Sequence, residues 1–272
     1  MRGSEFLAAN AGKSLAQWEG NAVLLAQQDS FVPWPMIPIQ VQTPSGNHTG
    51  TFFVASDYFA IGTLEDYIRL PLTPIAAQRI ANSKGMLLPT SKMVEAIWRN
   101  SYKLTPQPMV PNRGANLAQY AEHSRIIDQQ ILGLAPPAGG VRSGHKKDVI
   151  ISNIWKPGKV VIFGWYRPDG TFIQPKSNIH GDFYVDYSHG IRLVSPNMQV
   201  DGQSMSVEDV LESPEYAPLL SSEGVIHRVR YPTGTGAEAL TAARTPSGRL
   251  SYYKLGTSVL LALNALGRKR AA

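Results

Sequence analysis

The chain has 272 residues, no cysteine and a formal net charge of +6. That length fits one large domain or two small ones. The lack of thiols excludes disulfides, cysteine nucleophiles, thiolate zinc sites and iron–sulfur clusters. A 43% apolar content excludes a disordered chain, and no apolar run approaches the roughly 20 residues of a membrane span.

Met1 to Phe6 reads as a cloning scar and is set aside from fold reasoning. A leader of that kind often stands where a signal peptide has been removed, so a secreted or periplasmic protein is expected. Leu15, Trp18, Val23, Leu24 and Leu25 predict a helix within residues 7–28. Residues 37–43 and 51–55 flank a Pro, Ser, Gly and Asn stretch and predict a β-hairpin. From 56 to 133 the pattern turns helical. Thr73-Pro74 opens one helix, which ends by Gly85. Leu88-Pro89-Thr90 opens another, with Met93, Val94, Ile97 and Trp98 on one face. A third spans about 116–132, with Gly133 as its terminator.

After a Pro- and Gly-rich break the chain becomes β-rich. Strands are expected at 148–152, 159–165, 171–174, 182–187, 191–194 and 225–231. Arg167-Pro168-Asp169-Gly170 makes a turn, and Ser206 starts a short helix. The expected fold is α+β: a helical middle segment packed beside a mostly antiparallel β-sheet half. Residues 7–254 form its single domain, helix-rich over 56–133 and β-rich over 141–231. Residues 255–272 are a C-terminal helix or a vector-derived tail.

The polar residues worth testing concentrate in the β half. Ser143-Gly144-His145-Lys146-Lys147-Asp148 leads into an apolar strand. Lysine at such a mouth serves as a base, an anion clamp or a nucleophile once its pKa falls; otherwise the segment is a solvated loop with Asp148 paired to a lysine. In a strand over 182–187, His180, Asp182, Tyr184 and Asp186 share one face, and Phe183, Val185 and Tyr187 the other. His189 meets Asp186 if Ser188-His189-Gly190 turns. His189 is the expected general base, oriented by Asp186. Lys146 or Lys147 stabilises developing negative charge, and His145 and His180 are alternates. Asp182, Tyr184, Ser188, Ser143, Trp165 and Arg192 are the substrate-binding candidates. Trp155, Trp165 and Tyr166 are read as exposed aromatics that stack on sugars or rings.

The nucleophile elbow of serine hydrolases, the paired-histidine zinc motif and the glycine patterns of phosphate loops are all absent from the sequence. No cofactor is expected. A divalent metal, were one bound, would draw on His145, His180, Asp182 and His189. The basic residues are spread thinly, so nucleic acid is not an expected partner; a polymer or peptide, anionic for a basic surface, is.

Five blocks carry a resemblance: Leu88-Pro89-Thr90-Ser91-Lys92-Met93-Val94, Gly144-His145-Lys146-Lys147-Asp148-Val149, Gly164-Trp165, Ile173-Gln174-Pro175, and Asp186-Tyr187-Ser188-His189-Gly190-Ile191-Arg192-Leu193. Together they resemble a group of bacterial proteins, often exported, with no activity attached to it. The resemblance spans about residues 51–231 and implies an exported bacterial origin. Two functions stay open. One is an exported hydrolase of a cell-wall or extracellular polymer, peptide or polysaccharide, working by His/Asp acid–base chemistry with lysine support. The other is a non-catalytic, envelope-associated binding module in which the same residues form a satisfied network.

Overall fold

Two helices, α1 (Gly3–Asn10) and α2 (Leu15–Gln27), open the chain where one was expected. Gly12, at φ +76°, lies between them, and the backbone N–H of Ser14 donates to Gln17 Oε1 at 2.9 Å as α2 begins. The computed structural model describes residues 1–134 and 139–234. Its packing begins inside the segment set aside as a scar. Phe6 is fully buried, and a Cβ on Gly3 would stand 2.7 Å from the Tyr67 backbone.

The hairpin forms as expected, β1 (Met36–Gln42) against β2 (Thr49–Ala55), in register from Met36↔Ala55 to Gln42↔Thr49. Phe52 and Val54 alternate into the core. The helical middle segment starts later than expected. Residues 60–69 make a short hairpin instead, β3 (Ala60–Gly62) and β4 (Tyr67–Arg69). Then α3 (Pro74–Ser83) and α4 (Ser91–Arg99) follow. Each is capped by a threonine: Thr73 Oγ1 accepts from the Ala76 N–H, and Thr90 Oγ1 from that of Met93. After β5 (Tyr102–Lys103), α5 (Leu117–Leu134) runs through Gly133, which therefore does not end it.

In the β half, β6 (Arg142–Ser143) pairs parallel with β5. Next come β7 (Lys147–Val149), β8 (Ile162–Tyr166) and β9 (Phe172–Ser177), successive antiparallel neighbours. Gly170 N–H closes the expected turn onto the Arg167 carbonyl at 3.0 Å. The two-residue β10 (His189–Gly190) lies parallel on β7, giving the order β10-β7-β8-β9. β11 (Asn197–Val200) and β12 (Gln203–Ser206) extend the first hairpin into a second sheet, ordered β1-β2-β11-β12. Two short helices follow, α6 (Val207–Glu212), capped by Ser206 Oγ, and α7 (Ala217–Leu220).

The architecture is α+β, as expected, with mostly antiparallel pairing. Three expected strands do not form: 182–187 is turns and irregular chain, 191–194 reaches the sheet only through isolated bridges from Val194 to Val54 and Leu87, and 225–231 is irregular. The last still anchors the core, because the buried Tyr231 hydroxyl donates to the Ile150 carbonyl at 2.7 Å. Met1–Pro232 make one compact unit, and a second begins at Thr233. Residues 235–272, with the expected C-terminal helix or tail, lie outside the described residues.

Candidate functional site

The short strand β7 organises the site. Gly144 precedes it at φ +92°, and a Cβ there would stand 2.3 Å from the Leu104 carbonyl oxygen. Only glycine fits both constraints. The chain then lays His145, Lys146, Lys147 and Asp148 in succession into the interior, each at most 5% exposed. The solvated-loop alternative is thus overturned. Asp148 does not pair with a lysine either: its Oδ2 accepts the Tyr58 hydroxyl at 2.9 Å. Burial raises Asp148 to about 7 against the pull of Arg192.

Three linked polar nests surround this strand. In the innermost, Asp57 receives Arg69 Nε at 3.1 Å and Nη2 at 2.8 Å, and its Oδ1 lies 3.1 Å from His145 Nε2. Burial works against the Asp57 charge, but Arg69 and His145 outweigh it and hold the carboxyl well below its usual range. Arg69 reaches on to Asp128 of α5 at 2.7 Å. Burial lowers His145 to about 4.

In the middle nest, Lys146 Nζ donates to the Tyr187 carbonyl at 2.6 Å and lies 3.2 Å from His123 Nδ1. Burial, then the Arg69 charge, bring Lys146 down to about 7. Burial and Lys146 push His123 down to about 2.

The outer nest centres on Asp186. Its Oδ2 accepts from the Tyr184 hydroxyl at 2.7 Å, Lys147 Nζ at 3.1 Å and Asn112 Nδ2 at 3.1 Å. Its Oδ1 accepts the Ser188 N–H at 2.9 Å and hydroxyl at 2.6 Å. Burial opposes this charge; His189, Lys147 and the two hydroxyls together hold it far below the carboxylate range. His189 is wholly buried, and neither of its ring nitrogens has a hydrogen-bond partner. Burial, then Lys147, lower it to about 3, so the ring is neutral at physiological pH. The backbone turn from Asp186 to His189 does form, through the His189 N–H at 3.1 Å. Asp186 nevertheless does not orient the imidazole by a hydrogen bond, because both of its oxygens are taken by other donors.

The candidates therefore sort by place. Lys147, Tyr184, Asp186, Ser188 and His189 come together, with His180 stacked on Tyr184 at 3.9 Å between ring centroids. His145 and Lys146 lie deeper, in the adjoining nests. Asp182, half-buried, sits on the turn after His180 instead of sharing a strand face with it. Ser143 bonds to Ser101, Oγ to Oγ at 2.5 Å, and joins no histidine. Arg192 is fully buried and serves the fold: it donates to the Ala55 and Arg142 carbonyls and lies 3.9 Å over the Tyr58 ring. Trp165 and Tyr166, read as exposed stacking surfaces, are each 7% exposed. Trp155 is half-buried, with Arg228 over its ring.

Sequence reading missed Asp57, Arg69, Tyr58, Asn112 and His123 as members of the network. His123 was within reach. It follows Tyr120 by three and precedes Ile127 by four, so it lies on the buried stripe of α5.

Among the described residues no group of three or more His, Cys, Asp or Glu side chains is placed to hold a metal ion. A cavity of about 10 Å³ lies behind β7, lined by Tyr58, Trp98, Ser143, Lys146, Asp148 and Trp165 among others. It has room for about one water, too little for a substrate. No family model, curated protein or solved structure matches this chain.

Proposed function

We propose that the chain is an exported hydrolase, secreted or periplasmic, with His189 as its proton carrier and an acyl bond of a polymer or peptide as its target. One observation carries this: His189 is the only side chain among the described residues with two buried polar atoms lacking a partner. Leaving a buried polar group unpaired costs about 1–3 kcal/mol. In a fold that supplies five donor contacts to the nearby Asp186, an imidazole with both nitrogens free fits a group reserved for proton transfer.

The chemistry follows from the neighbours. Water attacking an acyl carbon gives its proton to a free nitrogen of neutral His189. The Lys147 ammonium stabilises the developing oxyanion. The imidazolium then returns the proton to the leaving group as the acyl bond breaks. Asp186 holds Lys147 and Tyr184 in place. A glycosidic bond is a poorer target, because its cleavage needs a carboxylic acid as proton donor: Asp186, the carboxyl beside His189, stays ionised, and Asp148, though raised to about 7, is buried and engaged by the Tyr58 hydroxyl.

A binding module remains the second reading, favoured by the saturation of Asp186 and by the complete burial of His189. The test compares wild type with His189→Gln and Lys147→Met on purified peptidoglycan, an acidic polysaccharide and p-nitrophenyl acetate. The hydrolase reading expects turnover that falls at least 100-fold in His189→Gln with an unchanged melting temperature. No turnover by wild type on any of these, together with a large stability loss in His189→Gln, supports the module instead.

A further inference from the structure

His189 cannot meet a substrate while it is wholly buried, so a cover must exist. Tyr184 sets its ring edge-on against the imidazole, 5.6 Å between centroids. It sits at the end of a turn closed by its own N–H onto the Gly181 carbonyl at 3.0 Å. Its side chain is tied down by its hydroxyl to Asp186 and by its stack on His180, with interplanar angle 11°. The chain around it is shallowly held. Ile179 and Phe183 are each 76% exposed, and segments with few buried contacts open at low cost.

We propose that Tyr184 is the gate of the His189 site: with its hydrogen bond and stack intact it closes the imidazole off, and with both released it opens it to water and substrate. The gate serves the acid–base reading above, but its existence can be tested without any substrate. Turning the Tyr184 ring outward breaks no strand pairing, since residues 182–187 belong to no strand. It does not expose the inner nests, because His123 and His145 meet other rings, Tyr187 and Tyr58. Tyr184 is thus a positioning residue rather than a proton carrier.

The probe is diethylpyrocarbonate at pH 7, read by peptide mass spectrometry. A neutral imidazole nitrogen attacks one carbonyl of the reagent. An N–C bond forms, the ring loses a proton, and monoethyl carbonate leaves and decays to carbon dioxide and ethanol. In wild type, His189 should label far more slowly than exposed His227. Tyr184→Ala should speed His189 labelling at least tenfold, and Tyr184→Phe, which keeps the stack but loses the hydroxyl, by a smaller factor. His123 and His145 should keep their slow rates. Unchanged His189 labelling in Tyr184→Ala overturns the gate, as does equal acceleration at His123 and His145, which would signal general loosening. Faster His189 labelling, even if His189→Gln proves harmless to turnover, upholds the gate while the hydrolase reading falls. Loss of turnover in His189→Gln with unchanged labelling in Tyr184→Ala does the reverse.

Discussion

Lys147 and His189 are register partners in the parallel pairing of β10 on β7. Cross-strand partners project to the same face, so the ammonium and the imidazole are brought side by side by backbone pairing alone. Gly190 makes this possible at the next position, opposite Asp148, where a Cβ would stand 2.5 Å from the Tyr58 ring.

Replacing Lys147 tests this relationship. Lys147 and Asp186 form a buried pair, with side chains 7% and 3% exposed. Breaking such a pair from one side typically costs about 3–5 kcal/mol. Lys147→Met should therefore lower stability by about 3 kcal/mol, the hydroxyl and amide donors to Asp186 softening the loss. The His189 pKa should rise from about 3, since a neighbouring cation is gone. Urea denaturation and histidine NMR titration measure both. A loss under about 1 kcal/mol would show that the pair contributes little.

The Asp57–Arg69 pair is buried completely on both sides. Asp57→Ala should cost about 3 kcal/mol, because it takes the fully buried carboxylate from the guanidinium, leaving it only the partly exposed Asp128 carboxylate, and leaves His145 Nε2 unpaired. Arg69→Met in the same chain should restore part of it, since two absent charges cost less than one under-paired charge. A double-mutant cycle reads the coupling, and strict additivity would refute it.

Acid should destabilise the protein gently. His123, His145 and His189 have folded pKa values of about 2, 4 and 3, below an unfolded value near 6.5. Between pH 5 and 6 the unfolded chain binds more protons at these sites, so stability falls as pH falls. Glu19 and Asp148, both raised to about 7 chiefly by burial, act oppositely: the folded state takes up their protons first. Glu19→Gln removes one opposing proton and should steepen the slope by about 1 kcal/mol per pH unit. Denaturant midpoints at pH 5, 5.5 and 6 measure it. A flatter slope in the variant contradicts the assignment.

Gly190→Ala should cost about 1–3 kcal/mol by overpacking against Tyr58. Tyr58→Leu should reduce that penalty by making space. If thermal melts show the alanine equally damaging in both backgrounds, the close approach to Tyr58 is not its cause.

Much of the fold was legible because it is local. Thr73-Pro74 and Thr90 start helices by capping chemistry within four residues. The 36–55 hairpin follows from alternation around a Gly-containing turn, and Arg167 to Gly170 carries its turn in its own composition. The α+β class follows from these alone. Residues 182–187 show why local pattern has limits. Their alternation suits a strand, yet the Asp186 carboxylate takes the Ser188 N–H and hydroxyl, an alternative that turns the backbone away from a ladder.

The sequence by itself determined the class, the helix starts, the first hairpin and the neighbourhood of the candidate residues, since each depends on groups a few positions apart. Only the tertiary structure decided which charges meet. Asp57 finds His145 88 residues away, Lys147 finds Asp186 39 away, and Arg192 finds the Ala55 carbonyl 137 away. It also decided that these groups leave water altogether. Desolvation then takes over their chemistry, because a charge without solvent must find a partner or give up its ionisation. His189 does the latter, and that is a property of its surroundings which no spacing of residues along the chain can encode.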